Sequence, residues 1–276
     1  MTAAYTGAAA IAAALRLQPD TTLSSAASST TQTIEIAANQ VASGNGLYPG
    51  MYLALDYFNP AVAETVQITG AITGTGPYTV PVTALVNDHV VGAPVKEVSA
   101  IESVADAGSR LWDDACFTEP GAFAYQTVTE TARGIAMTNG NILIQVKGRN
   151  VTSVSSLTWQ YGPGDTAFTV EPSQCEFDDY QITAWGPSTT STPGFNGSVP
   201  APYAKHLIVN VTYTSGYNPL PADIVRASTV LAARLFKEGD TGFSDVTANA
   251  ELGMLQFKKG IPTDVAIMAK RWRRWT

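Results

Sequence analysis

Ser99 to Phe117 is the best-specified helix in this chain, and it stands between two regions of short β-branched runs broken by turn residues. Ile101, Val104, Ala105, Gly108, Trp112 and Ala115 recur at the i, i+3, i+4, i+7 spacing that lines one face of a helix. Ser99 and Glu102 make an S-x-x-E capping box, in which the serine oxygen accepts an early backbone N–H and the glutamate reaches back. Cys116, near the end of that face, reads as a buried hydrophobe rather than a nucleophile.

Upstream, candidate strands run Thr33–Ala37, Met51–Phe58, Glu64–Ile72 and Tyr78–Leu85, enough for a small barrel or sandwich. Downstream, Asn139-Gly140 between Arg133–Thr138 and Asn141–Val146 signals a hairpin, because both residues tolerate positive φ. Lys205–Tyr213 is the last strand of that region, after a loop over Gly186–Pro202. Residues 1–20 read as an Ala-rich helix that stops before Pro19, and Thr21–Thr33 as a linker or frayed helix. Pro221 opens a helix whose stripe is Ile224, Ala227, Ser228, Leu231 and Leu235, widened by Val225, Val230 and Phe236 so that it should meet more than one neighbour. A Gly-rich connection then leads to the last helix.

The expected fold class is therefore α+β: a small helical bundle of N-terminal, central and two C-terminal helices with β-rich insertions, including a small β-barrel or sandwich module. The segments are 1–32 (helix and linker), 33–98 (inserted β module), 99–120 (central helix), 121–218 (second β region), 219–260 (helix and connection) and 261–276 (basic tail helix).

Charge narrows the functions. The 276 residues carry only 14% charged side chains and a net charge of −7, so disorder is disfavoured and the body as a whole would repel a phosphate backbone. Residues 251–276 oppose that trend. Six Lys/Arg against Glu251 and Asp264 make this end +4, which leaves −11 for the rest. Within it, Ile261, Val265, Met268, Trp272 and Trp275 fall at 4, 3, 4, 3 spacing, an a/d seam flanked by Lys270, Arg271, Arg273 and Arg274. Such a cation-edged stripe either docks on its own core or enters a partner. A membrane-surface role is disfavoured, since only one short end of an acidic protein would support it.

Catalytic and metal signals are poor. His89 and His206 are the only histidines, with no HExxH and no carboxylate at ligand spacing, so neither metal nor cofactor is expected. Asp240-Thr241-Gly242 has the aspartic-protease spelling but no second copy, and reads as a helix-terminating turn. Nothing asks for an enzyme. Two cysteines without CxxC spacing suggest a reducing compartment, and the apolar run Ala8–Leu15 is too short to span a bilayer.

The run Val209 to Tyr217, followed by Pro219-Leu220-Pro221-Ala222-Asp223-Ile224 and a helix, resembles the C-terminal half of tailed-phage head–tail connector adaptors, where a Y-x-x-G-Y strand leads into P-x-D-I and a basic Tyr/Trp-containing tail. Trp112-Asp113-Asp114-Ala115-Cys116-Phe117, then Thr127-Val128-Thr129-Glu130, is similar to the family's middle portion. Val151 to Leu157 is similar to its P-V-x-S-V strand, with Asn150 in the place of the proline. Thr33–Val98 resembles a β module inserted in larger connectors, with Glu64-Thr65-Val66-Gln67-Ile68 before His89-Val90-Val91-Gly92-Ala93-Pro94-Val95.

The resemblance implies a non-enzymatic virion protein at the neck, assembled in the host cytoplasm. On that resemblance it would form a homo-oligomeric ring of twelve copies that binds the portal protein on one side and a stopper or tail-completion protein on the other. DNA passes through its channel without specific binding. The portal-binding residues would be Ile261, Val265, Met268, Lys270, Arg271, Trp272, Arg273, Arg274 and Trp275. The alternative is a tail-completion or adhesion protein whose β module binds a carbohydrate or receptor through Tyr48, Tyr52, Tyr57, Phe58 and Tyr78, about half of which alternation sends into the core. A hydrolase built around Asp240 or His206 is the remote third.

Overall fold

The computed structural model describes residues 5–39, 46–137, 141–185, 206–240, 246–249, 253–256 and 261–273. The fold is α+β, with four helices among the described residues, and the chain divides into two compact units, Met1–Phe117 with Ala222–Thr276, and Thr118–Pro221. The Asn139-Gly140 turn and the whole Gly186–Pro202 loop lie outside the described residues.

In the first unit, strands β1 (Thr21–Thr22), β2 (Thr33–Ile36), β3 (Tyr52–Leu55), β4 (Glu64–Gln67), β5 (Tyr78–Pro81) and β6 (Pro94–Glu97) pair antiparallel as β1-β6-β3-β4 and β2-β5. Single bridges, Leu23↔Ile36 and Ile68↔Val82, join the two sets at both ends. The hydrogen-bond ladder therefore runs round all six strands as a small barrel. Its interior holds Leu23, Ile34, Ile36, Leu53, Leu55, Val66, Ile68, Val80, Val82 and Val95. The segment expected as a linker is thus part of this module. Thr21 and Thr22 pair with Val95 and Pro94, and Leu23 and Ala27 are buried in the barrel, because a barrel this small needs every strand to close.

Helix α1 (Ala8–Leu15) is shorter than the sequence suggests. Arg16 adopts φ 53° and its N–H caps the Ala12 and Ala13 carbonyls, which ends the helix before Pro19 can. Helix α2 (Ser99–Cys116) matches its expected span, and its stripe is the buried face: Ile101, Ala105, Gly108, Trp112 and Ala115 are all buried. The capping box is not formed. Val98 is the N-cap, so Ser99 stands one position too far in. Its Oγ accepts the Tyr52 N–H (2.9 Å) and its own N–H donates to Glu97 Oε1 (2.8 Å), tying the helix to β3. β3 has no polar face because helix and barrel compete for it: Leu53 and Leu55 point into the barrel while Ala54 packs with Tyr57, Ile11, Ile101 and Ala232.

Tyr57 is buried and donates to the Leu17 carbonyl (2.8 Å). Burial, with the Asp20 carboxylate adding, pushes its phenol up to about 12. The folded state thus holds this proton more tightly than the unfolded chain, whose phenol titrates near 10. Stability supplied by the neutral phenol is present below pH 10 and is lost as pH rises toward 12. Alkaline denaturation followed by circular dichroism should show that loss, and Tyr57→Phe should flatten it over this window while lowering stability at neutral pH.

Helix α3 (Ala222–Asp240) begins just after Pro221 and packs against α1, α2 and the last helix α4 (Thr263–Trp272), as its broad apolar face requires. The Gly-rich connection between α3 and α4 carries an antiparallel pair, Val246–Asn249 with Gly253–Gln256. No helix among the described residues is long and apolar enough to cross a membrane.

The second unit contains β7 (Gln126–Ala136), β8 (Ile142–Gln145), β9 (Ser153–Gln160), β10 (Phe168–Val170), β11 (Cys175–Phe177), β12 (Gln181–Ala184) and β13 (His206–Ser215). They form one antiparallel sheet in the order β10-β9-β13-β7-β8-β12-β11. The sheet curls, nearly closed, around Ile142, Ile144, Leu157, Trp159, Ile182, Leu207, Val209, Val211 and Tyr213. Arg149 is buried, paired with Asp179 and set over the rings of Phe123 and Tyr180.

Candidate functional site

Two places gather the residues that the sequence singles out. The first is the carboxyl-terminal helix. Val265 and Ala269 are fully buried, and the Ala269 carbonyl receives the Cys116 thiol (4.0 Å). Beyond the helix, the Arg273 Nε–H donates to the Ala115 carbonyl (3.2 Å), and its guanidinium lies 4.7 Å from the centre of the Phe117 ring. A cation over the carbonyl end of α2 is favoured by that helix's dipole, and the exposed Phe117 ring adds a cation–π contact. The C-terminal end of α4 is therefore held to the close of α2 by Ala269 and Arg273.

This placement divides the nine expected portal-binding residues. Val265 belongs to the chain's own core, which corrects the single-seam reading. The helix buries a 265/269 row rather than a 265/268 one, because packing on a straight neighbour follows 3.6 residues per turn and not a heptad. Met268, Trp272 and Arg273 are half-buried, and Arg273 is held by α2. Ile261, Lys270 and Arg271 are exposed, and neither Lys270 nor Arg271 forms an ion pair among the described residues. Arg274 and Trp275 lie outside the described residues. Ile267 was missed: it is 55% exposed and joins Lys270 and Arg271 on the outward side. An isoleucine three and four residues before two cations, off the seam, was the available signal.

The second place is the barrel loop after β5. Glu64 and His89, remote in sequence, meet at 2.7 Å between Oε1 and Nε2. The same carboxylate accepts the N–H groups of Val86 (2.9 Å) and Asn87 (3.1 Å), Asn87 donates on to the Val62 carbonyl, and Asp88 accepts the Ser29 N–H. The imidazole is shut from solvent, with Nδ1 4.0 Å from Asp56. The sequence shows no carboxylate at ligand spacing from His89; the fold supplies one from another strand. Its bonds are spent on holding a loop that raises Val86, Val90 and Val91 into solvent. Among the described residues no group of three or more His, Cys, Asp or Glu could hold a metal ion.

Of the aromatic residues expected on an adhesive surface, Tyr57 is buried, Tyr52 and Tyr78 are half-buried, and Tyr48 and Phe58 are exposed. His206 opens β13 and Asp240 ends α3, while Thr241 and Gly242 lie outside the described residues.

The Y-x-x-G-Y run of the second unit has a physical explanation. The buried Tyr213 donates to Glu130 (2.9 Å) and accepts the Gly148 N–H (3.0 Å). Burial, with the Glu130 carboxylate adding and the Gly148 N–H opposing, pushes its phenol up. Gly216 turns at φ 97°, and Tyr217 stacks on Phe123 with ring centres 6.5 Å apart. Asn150 holds φ 52°, donates to the Gly216 carbonyl and receives no competition from proline, whose ring cannot take that angle. No family model matches the chain, and no curated protein matches it.

Proposed function

We propose that this protein is a head–tail connector adaptor: a helical scaffold with two β insertions, repeated as a twelve-membered ring in the neck of a tailed phage. It binds the portal on one side and a stopper or tail-completion protein on the other. The observation that carries the reading is the outward face of α4. A terminal helix held to α2 by Ala269 and Arg273, with Val265 buried, presents Ile261, Ile267, Lys270 and Arg271 to whatever lies beside it. Rigid mounting of a small apolar and cationic face lowers the entropy lost on docking. An acidic body around the channel suits DNA that must slide without adhering. The adhesive alternative rests on Tyr48 and Phe58 alone.

Deleting the whole tail would be a poor test, since it removes Val265 and Ala269 from the core. Lys270→Glu with Arg271→Glu alters only exposed side chains. The variant should fold, with a melting temperature only a few degrees lower because acidic side chains in the last turn oppose the helix dipole, and attach to portal-containing heads at least about tenfold more weakly, with a reduced salt dependence. Unaltered attachment in a pull-down on filled heads would remove the reading.

A further inference from the structure

Strand β7 is 11 residues long, but its neighbours cover it unequally. β13 pairs with it from Gln126 to Ile135, whereas β8 pairs only with Gly134 to Ala136. Strand geometry identifies the backbone groups left over. The Met137 N–H donates to the Asn141 carbonyl, so odd-numbered residues of β7 turn their N–H and C=O toward β8 and even-numbered ones toward β13. The far side agrees. Thr152 donates to the Thr214 carbonyl, so even-numbered residues of β13 serve β9 and odd ones serve β7, where they oppose its even residues.

Thr127, Thr129 and Thr131 therefore direct main-chain groups out of an edge that β8 has left. Lys147, which the β7–β8 register would set opposite Thr131, gives its N–H to the Glu130 carboxylate instead (2.9 Å), and Val146 donates to the Tyr180 carbonyl. No backbone hydrogen bond joins the three threonines to a further segment among the described residues. All three side chains are exposed. Natural edges are blunted by lysine, proline, bulges or brevity. From Gln126 to Ala132 this edge has no lysine and no proline, and its single charge, Glu130, is occupied by Lys147 and Tyr213.

We propose that this edge pairs antiparallel with the same edge of a second copy of the chain, centred on Thr129. A two-fold contact of this kind must be self-complementary. Here Thr129 meets Thr129, Thr127 meets Thr131, Val128 meets Glu130 and Gln126 meets Ala132, so no like charges oppose one another. Threonine pairs across strands are favourable. On a chain of net charge −7, an edge that carries one charge in the seven residues from Gln126 to Ala132 limits the repulsion between two copies. The pairing does not rest on the connector reading.

Sedimentation velocity of the full chain over rising concentration should show a monomer–dimer equilibrium. Thr129→Lys, which sets two ammonium groups face to face, should weaken it at least about tenfold. Thr129→Pro, which removes the outward N–H and no N–H that faces β13, should do the same. In a Cys175→Ser background, oxidised Thr129→Cys should form a covalent dimer, since directly opposed hydrogen-bonded residues lie about 5.5 Å apart, within disulfide reach. Thr127→Cys and Thr131→Cys should cross-link when mixed and not when separate. Circular dichroism confirms folding of each variant. A chain that stays monomeric to its solubility limit, or a dimer that ignores Thr129→Lys and fails to cross-link at position 129, overturns the proposal.

Discussion

Gly108→Leu is expected to unfold the helical part of this protein or to lower its melting temperature by about 10 °C or more. A Cβ at position 108 would lie 2.6 Å from the Ala232 Cβ, and 2.8 Å from both the Ala232 nitrogen and the Ser228 carbonyl oxygen. Two of those three atoms are backbone, so rotamer changes cannot relieve the overlap. α2 and α3 would have to separate, exposing Trp112, Ile101 and Ala232, all now buried. Overpacking of a well-packed core costs about 1–3 kcal/mol, and a contact against helix backbone belongs at or above that range. The milder Gly108→Ala should also destabilise, although alanine is the better helix former by about 1 kcal/mol. Ala232→Gly should restore part of the loss, because it removes the nearest atom. Thermal melts that place Gly108→Ala at or above the parent would show that the helices do not cross this closely.

Gly216→Ala should be as damaging, in the second unit. At φ 97° any L side chain is strained, and here the added Cβ would fall 2.1 Å from the Ala124 oxygen and 2.3 Å from its carbonyl carbon. The chain is held at this point by the Gly216 N–H to the Arg149 carbonyl (2.7 Å) and the Tyr217 N–H to the Phe123 carbonyl (3.1 Å), so it cannot swing aside without losing both. A loss above about 4 kcal/mol is expected, in the range reserved for backbone strain combined with core disruption. Gly164→Ala is the control. That glycine sits at φ 89° with open space around it, so it isolates the conformational term of about 1–2 kcal/mol. Hydrogen exchange across residues 118–221 should separate the two variants, and equal protection in both would refute the clash.

Both glycines were visible in the sequence, one in a helical stripe and one in a Y-x-x-G-Y run, but neither could be assigned its neighbour. Period and composition carried the rest of the elements well where one face alone decides the pattern. The α2 stripe is the buried stripe, Cys116 is core, and β2, β3, β4 and β5 begin at or within one residue of their expected starts, while β1 and β6 lie outside the expected strands. Local rules failed where a distant group took over. Ser99 looked like a cap until the Tyr52 N–H claimed its oxygen. Thr21–Thr33 looked like a linker because two-residue pairings and single bridges leave almost no periodic trace.

What residue order determined unaided is the alternation of helical and β-branched segments, the apolar faces of α2 and α3, and the concentration of positive charge at the carboxyl end. These follow from side-chain volume, branching and charge, which each residue carries wherever it stands. Tertiary structure alone decided that Glu64 meets His89, that Val265 and Ala269 face inward while Ile267, Lys270 and Arg271 face out, and that β8 leaves β7 half uncovered. Each depends on which backbone groups and surfaces arrive from elsewhere in the chain, and short-range pattern holds no record of them.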